Sequence, residues 1–144
     1  MKRKLLLWVG IVTLFLTGSI SLLNNARQSV LMMGTSGTVL ATGAAFYQEI
    51  EYSKVSPIRD FVKVLPVGRH ILKPQKYKHF TNYLKSRCEL DISDDWGQDQ
   101  IMRDYWGQPF RITFDKGIDG SCHVEVVSSG WDKEFGAHDV SNVR

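Results

Sequence analysis

Hydrophobic side chains form a long unbroken run near the start of the chain. Residues 5–23 read LLLWVGIVTLFLTGSISLL and contain no charged side chain. As an α-helix this run is about 29 Å long, close to the thickness of the hydrocarbon core of a bilayer. We therefore expect an uncleaved membrane anchor. The alternative is a cleaved signal peptide, although the run is long for one and lacks an A-x-A cleavage site.

A second uncharged stretch follows at residues 28–48. Met32, Val39 and Phe46 recur every seven residues, and Ile50 falls on the same face, which is typical of an amphipathic helix packed on a core. Small residues allow a neighbouring helix to approach closely. Three glycines provide such positions here: Gly34, Gly37 and Gly43.

The second half of the chain predicts a short helix and a hairpin. The helix is expected over residues 75–87, with Phe80, Tyr83 and Leu84 turned inward. Residues 110–126 alternate apolar and polar side chains on both sides of a DKGIDG turn, which indicates two antiparallel strands. A helix packed on a hairpin gives an α+β fold.

The charge distribution separates an N-terminal segment from a balanced body. The net charge is +3, and Lys2, Arg3 and Lys4 account for all of it. Basic residues before an apolar run keep that end in the cytoplasm, so the body is exported. We expect an anchor or signal segment at 1–23 and one domain at 24–144. A body without excess positive charge argues against nucleic acid as a partner.

Residues 54–87 form a basic segment within this balanced body. They hold nine Lys or Arg and a single acid, Asp60. Such a segment is usually a solvated face. The alternative is contact with an acidic partner or with anionic lipid head groups.

Several polar and aromatic residues are candidates for binding or catalysis. Two W-G-Q triplets begin at Trp96 and Trp106, and such residues either anchor turns or stack on sugar rings. A group of acids could include an acid/base pair, but no spacing fixes their separation, so we do not expect an enzyme. These acids are Asp94, Asp95, Asp99 and Asp104.

The C-terminal residues 128–140 predict a long loop with two glycines and three carboxylates. Calcium takes six to eight oxygen ligands from carboxylates and backbone carbonyls in flexible geometry. Asp132 and Asp139 are the best candidate side-chain ligands, and Glu134 is a weaker one. The alternative is a plain surface loop.

The two cysteines, Cys88 and Cys122, fit either one disulfide or two free thiols. Export permits a disulfide, and closing a loop of this length would contribute about 3–4 kcal/mol. We therefore favour the disulfide.

Taken together, the motifs resemble the major pseudopilin of type II secretion systems, especially its C-terminal domain. The first matching motif is DYWGQPF at residues 104–110. The second is the loop with Ser129-Gly130-Trp131-Asp132, followed by Phe135-Gly136 and Asp139-Val140. The similarity is good over residues 104–140, weak over 27–66 and poor over 67–103.

The resemblance implies a pilin-like fold, with a long N-terminal helix packed on a small antiparallel sheet. It also implies a calcium-binding loop in which Asp132 and Asp139 are ligands, helped by carbonyls near Val127 and Ser129. On this view the protein is a single-pass protein of the inner membrane with its C-terminal domain in the periplasm. Its partners are other pseudopilin or secretion-system subunits, with possible homo-oligomers.

The chain departs from this family at its N-terminus and in the loop. The prepilin processing motif is absent, because Gly18 precedes Ser19 and Leu23 stands where the family has Glu. In the loop, His138 precedes Asp139, and Lys133 takes the place of a glycine.

The sequence thus predicts a non-enzymatic, membrane-anchored structural component or accessory of a type II secretion or pilus-like assembly. An exported module that binds a glycan or peptide through Trp96, Trp106 and Trp131 is the alternative. A small hydrolase using the Asp94–Asp104 acids is a third hypothesis.

Overall fold

The computed structural model of the chain describes residues 2–88, 101–136 and 139–143. The described residues form three helices and one four-stranded antiparallel sheet, with strand order β1-β2-β3-β4. This confirms the predicted α+β, pilin-like layout. The elements in chain order are α1 (Lys2–Glu51), α2 (Pro57–Val64), β1 (Gly68–Leu72), α3 (Pro74–Cys88), β2 (Arg111–Lys116), β3 (Cys122–Ser128) and β4 (Val140–Ser141).

Helix α1 joins the two stretches that the sequence suggested as separate elements. It runs without a break for 50 residues. Val39, Phe46 and Ile50 are buried, as the spacing by seven predicts, but Met32 is exposed. The first fully buried residue in the described part of α1 is Thr35, and Met32, three positions before it, lines a shallow cavity with Leu40 and the residues around β4.

The predicted hairpin and the predicted short helix are both present. Strands β2 and β3 pair in register, with Ile112 opposite Val126 and Phe114 opposite Val124. Helix α3 is slightly longer than expected and buries Phe80 and Leu84, whereas Tyr83 is half-buried.

The short helix α2 is fixed at both ends by side chains. The hydroxyl of Ser56 accepts hydrogen bonds from the backbone N–H groups of Ile58 and Arg59, the usual N-cap arrangement. At the other end Lys116 Nζ donates to three backbone carbonyls at 2.7–2.8 Å. An ammonium group at a helix C-terminus complements the helix dipole.

The core lies where α1, α2 and α3 meet the inner face of the sheet. The ring of Phe46 packs edge-on against Phe114 and Phe80, with centroids 5.7 and 6.3 Å apart. Phe61 from α2 contacts the same two rings. Offset and edge-to-face aromatic pairs of this kind add to the free energy gained by burial.

The apolar N-terminal helix is a candidate membrane span. Among the described residues, the Leu16–Glu51 part of α1 is the one helix long and apolar enough to cross a bilayer. Its length and composition alone support this, and the core helix of a soluble protein or a signal sequence meets the same criterion.

Candidate functional site

The DYWG turn, residues 104–107, is organised around a buried carboxylate. Asp104 Oδ1 accepts hydrogen bonds from the backbone N–H groups of Trp106 and Gln108 at 2.9 and 2.8 Å. Gly107 adopts φ +77°, a conformation that glycine tolerates best. The carboxylate therefore closes the turn as an Asx-type acceptor.

The same carboxylate ties the DYWG turn to the end of the sheet. Asp104 Oδ2 accepts a hydrogen bond of 2.6 Å from the hydroxyl of Ser128, the last residue of β3. Ser128 Oγ in turn accepts from the N–H of Gly130 at 3.0 Å, where the C-terminal loop begins. Asp104 thus has a structural role, with both carboxylate oxygens engaged in hydrogen bonds.

The DYWG turn also docks on α1. The backbone N–H of Tyr105 donates to Thr35 Oγ1 at 3.2 Å, and the indole N–H of Trp106 donates to Gln28 Oε1 at 2.9 Å. A Cβ atom at Gly34 would lie 2.8 Å from the ring of Tyr105, so only glycine allows this approach. The Trp106-Gly107 motif is therefore a turn anchored on the helix. Of the two interpretations given above, turn anchoring and stacking on sugar rings, the structure supports the first.

The C-terminal loop places the two predicted calcium ligands in hydrogen-bonded turns. Asp132 Oδ1 accepts from the N–H of Glu134 at 3.2 Å, and Asp139 Oδ1 accepts from the N–H of Gly136 at 2.8 Å. Asp139 Oδ2 also lies 3.6 Å from Arg111 Nη2. One oxygen of each carboxylate is thus engaged within the loop.

Arg111 is the cation that faces this loop. Its guanidinium carbon lies 4.2 Å from the centre of the Phe135 ring, a cation–π contact, while the same side chain pairs with Asp139. A calcium ion bound by Asp139 would compete with this guanidinium. The described residues contain no group of three or more His, Cys, Asp or Glu placed to bind a metal. Calcium therefore stays a prediction that rests on Asp132, Asp139 and backbone carbonyls.

A shallow apolar cavity of about 320 Å³ lies beside the loop. Ile71 of β1, Pro109 and Phe135 are among the residues that line it. Trp131 belongs to the same loop, and its side chain is 53% exposed. Trp106, by contrast, is half-buried with its N–H engaged.

The segment that follows β4 is held by an asparagine. Asn142 Oδ1 accepts from the N–H of Val126 at 2.6 Å, and Nδ2 donates to the carbonyl of Val124 at 3.0 Å. The side chain packs against Gly43 of α1, where a Cβ would lie 2.9 Å from Asn142 Cβ. Asn142 thereby joins the last described residues to both β3 and α1.

A buried carboxylate near the C-terminal end of α1 forms a second polar cluster. Glu49 accepts a hydrogen bond from the Tyr83 hydroxyl at 2.8 Å and pairs with Arg87 Nε at 3.1 Å. Burial is the largest single effect on its pKa and raises it. Hydrogen bonds from Tyr83, Ser56 and Ser53, together with Arg87, outweigh burial and hold the pKa of Glu49 below its usual value.

Cys122 is a buried free thiol in the structure, which goes against the disulfide that we favoured. Its side chain is enclosed in the hydrophobic core, and burial raises the pKa of this thiol. The side chain of Cys88 lies outside the described residues. Other predicted candidates also lie outside them, namely Asp94, Asp95, Trp96, Asp99 and His138.

Comparison of the chain with known protein families, with curated proteins and with solved structures finds no match.

The partners that hold these segments together were not predictable from the sequence. Gln28, Thr35, Glu49 and Asn142 carry contacts between distant parts of the chain, yet none belongs to a motif. The one local sequence feature that could have indicated these contacts is Asp104, because an Asp two residues before a Trp-Gly pair favours an Asx turn.

Proposed function

We propose that this chain is a membrane-anchored, non-enzymatic structural component or accessory of a type II secretion or pilus-like assembly. The observation that carries the proposal is the division of α1 into two parts. The C-terminal part is built into the core of the sheet domain, and the N-terminal part extends beyond it. A helix of this kind presents a long lateral surface to neighbouring helices.

The exposed surface of α1 supports this proposal. The helix is about 75 Å long at 1.5 Å per residue. From the end of the uncharged run into the part that carries the domain, it exposes large apolar side chains. These are Leu22, Leu23, Val30, Met33 and Leu40. Large exposed apolar surfaces mark contacts with lipid or with other proteins.

On this proposal the anchor lies in the inner membrane and the domain in the periplasm. Like helices, from further copies or from other pseudopilin subunits, pack against α1. The motif similarity over residues 104–140 supports this assignment. The C-terminal loop stiffens the domain, either through calcium held by Asp132 and Asp139 or through its own hydrogen bonds.

Site-specific cross-linking of the full chain in lipid nanodiscs or membranes tests the proposal. In a background with both native cysteines replaced by serine, Met33→Cys or Leu40→Cys should form disulfide-linked dimers on mild oxidation. Ile118→Cys is the matched control, because Ile118 is 94% exposed in the turn between β2 and β3 and does not belong to α1. Equal or absent cross-linking at all three positions would contradict packing through α1.

A glycan- or peptide-binding module is the second candidate, favoured by exposed Trp131 and the adjacent cavity. Added oligosaccharide or peptide should then change the tryptophan fluorescence of the full chain. The change should be lost in Trp131→Ala. If neither oligosaccharide nor peptide changes the fluorescence spectrum, this second candidate is excluded.

A further inference from the structure

The DYWG turn lies at a defined height along α1. Its indole N–H is bonded to Gln28, and Gln28 follows Leu23, the last residue of the uncharged run, by five positions. Five residues of helix rise about 7.5 Å. The headgroup layer on each side of a bilayer is about 5–8 Å thick. With residues 5–23 in the hydrocarbon core, Trp106 therefore falls at the level of the lipid head groups.

The residues of this turn have the chemistry of a membrane interface. Tyr105 is 48% exposed, and Trp106 is half-buried with its N–H satisfied by Gln28. Arg103 lies beside them, with Nη1 donating to the carbonyl of Gly107 at 3.0 Å. Tyr and Trp are enriched at the boundary between acyl chains and water, and arginine reaches lipid phosphates from there.

The helix adds an exposed apolar residue next to the turn. Val30 precedes Gly34 by one helical turn, so it lies on the same face as the position that Tyr105 packs against. Its side chain is exposed. Val30, Tyr105 and Trp106 thus lie at the level of residues 28–34 of α1, at the end of the domain nearest the start of the helix, and together they are called the interface patch.

We infer that this patch, together with Arg103, rests on the lipid surface at the boundary between head groups and acyl chains. The partner is the bilayer that holds the anchor, so the inference depends on the anchoring in the proposed function. The consequence is that the domain is held against the membrane by two contacts, the span and the turn. The tilt of α1 is then set by the turn as well as by the span.

Depth-dependent fluorescence quenching tests this inference with the full chain in phosphatidylcholine/phosphatidylglycerol vesicles. In one variant Trp8, Trp96 and Trp131 are replaced by Phe, which leaves Trp106 as the one tryptophan. Lipids brominated near the head group should quench it about twofold or more over lipids brominated near the bilayer centre. In the control, Ile118→Trp is the one tryptophan, and neither lipid should quench it.

A second probe guards against an effect of the substitutions on folding. Tyr105→Trp, with all four native tryptophans replaced by Phe, should show the same preference for shallow bromines. Circular dichroism checks that each variant keeps its helices. Quenching of both probes no stronger than that of Ile118→Trp would overturn the inference.

Flotation of the same vesicles separates the two proposals. A chain that does not float with the lipid is not anchored, which would overturn both the membrane anchoring and this inference. A chain that floats while positions 105 and 106 stay unquenched overturns the inference alone, and shows that the turn faces water or a neighbouring copy.

Discussion

At the residue scale, Asp104 shows how a candidate catalytic acid can be a structural one. Its two oxygens accept three hydrogen bonds, from the backbone N–H groups of Trp106 and Gln108 and from the hydroxyl of Ser128. The DYWG turn also contacts α1, through Thr35 and Gln28. A single buried carboxylate therefore links the helix, the turn and the end of the sheet.

We expect Asp104→Ala to lower the free energy of unfolding by about 2–4 kcal/mol, because it leaves buried N–H and O–H donors without an acceptor. Chemical denaturation of the full chain in detergent micelles measures this. Asp60→Ala is the matched control, since Asp60 is exposed and pairs with exposed Lys63. It should change stability by no more than about 0.5 kcal/mol. Equal effects of the two variants would contradict the structural role of Asp104.

Glu49 should make stability depend on pH. Its pKa in the folded protein lies below its ordinary value of 4.5, so the unfolded chain binds the proton more readily. The resulting stabilisation is fully present above pH 4.5 and is lost as the pH falls through the folded-state pKa. Stability should therefore decrease with acidification in this range.

We call the fall in stability on acidification the acid limb. Replacing Glu49 with Gln should flatten this acid limb, because Gln has no carboxylate to protonate. It should also lower the free energy of unfolding at neutral pH by about 1–3 kcal/mol, because the Arg87 and Tyr83 contacts are weakened. Tyr83→Phe removes one donor and should shift the midpoint of the acid limb upward. Unfolding curves measured from pH 7 to pH 3 follow both changes. An acid limb that is identical in Glu49→Gln and the parent protein would rule out this assignment.

At the element scale, α1 carries glycines with opposite roles. Gly43 admits the side chain of Asn142, which two hydrogen bonds to β3 hold in place. Gly37 has open space where a Cβ would be. The same residue type therefore permits a close contact at one position and only lowers helix propensity at the other.

The pair Gly43→Ala and Gly37→Ala tests this difference within one helix. Gly43→Ala should destabilise the protein by about 1–3 kcal/mol, because the fixed amide of Asn142 cannot move away from the added methyl group. Gly37→Ala should stabilise it by about 0.5–1 kcal/mol through helix propensity. Thermal melts of the two variants measure both effects. A stabilising effect of Gly43→Ala would mean that Asn142 is free to rearrange.

The elements that the sequence predicted correctly are those with strong local patterns. The β2–β3 hairpin alternates clearly around its turn, and α3 begins at Pro74 and has inward Phe80 and Leu84. Strands β1 and β4 were missed because pairing with β2 and β3 defines them, and β4 has only two residues. The long N-terminal helix that the resemblance implied is confirmed by α1. The apolar pattern alone suggested two separate elements there, because polar residues near Asn24 looked like a boundary, although nothing there breaks a helix.

At the scale of the whole molecule, the candidate site was predictable only as far as its residue types. The sequence identified Asp132 and Asp139 as acidic positions in a loop, and the structure places them in that loop. It could not show that Arg111 faces Asp139, because that contact depends on where β2 begins relative to the loop. Long-range contacts of this kind are set by packing and not by local pattern.

Calcium binding by the C-terminal loop is a property of the folded molecule and is best tested there. A ligand that binds only the folded state raises the melting temperature by mass action. We therefore expect calcium, compared with a chelator, to raise the melting temperature of the full chain. Asp132→Ala should abolish this rise, because it removes one of the two side-chain ligands, whereas magnesium, which requires near-octahedral geometry, should have a smaller effect.

Arg111→Gln separates a calcium loop from a loop closed by its own contacts. Removing the guanidinium that lies 3.6 Å from Asp139 frees that carboxylate, so calcium should bind more tightly to the variant than to the parent chain. If the loop holds no ion, calcium changes neither melting temperature. Arg111→Gln is then simply less stable, because Asp139 and Phe135 lose their cation. Whether calcium raises the melting temperature of this variant therefore decides between an ion and an arginine as the group that holds the end of the domain.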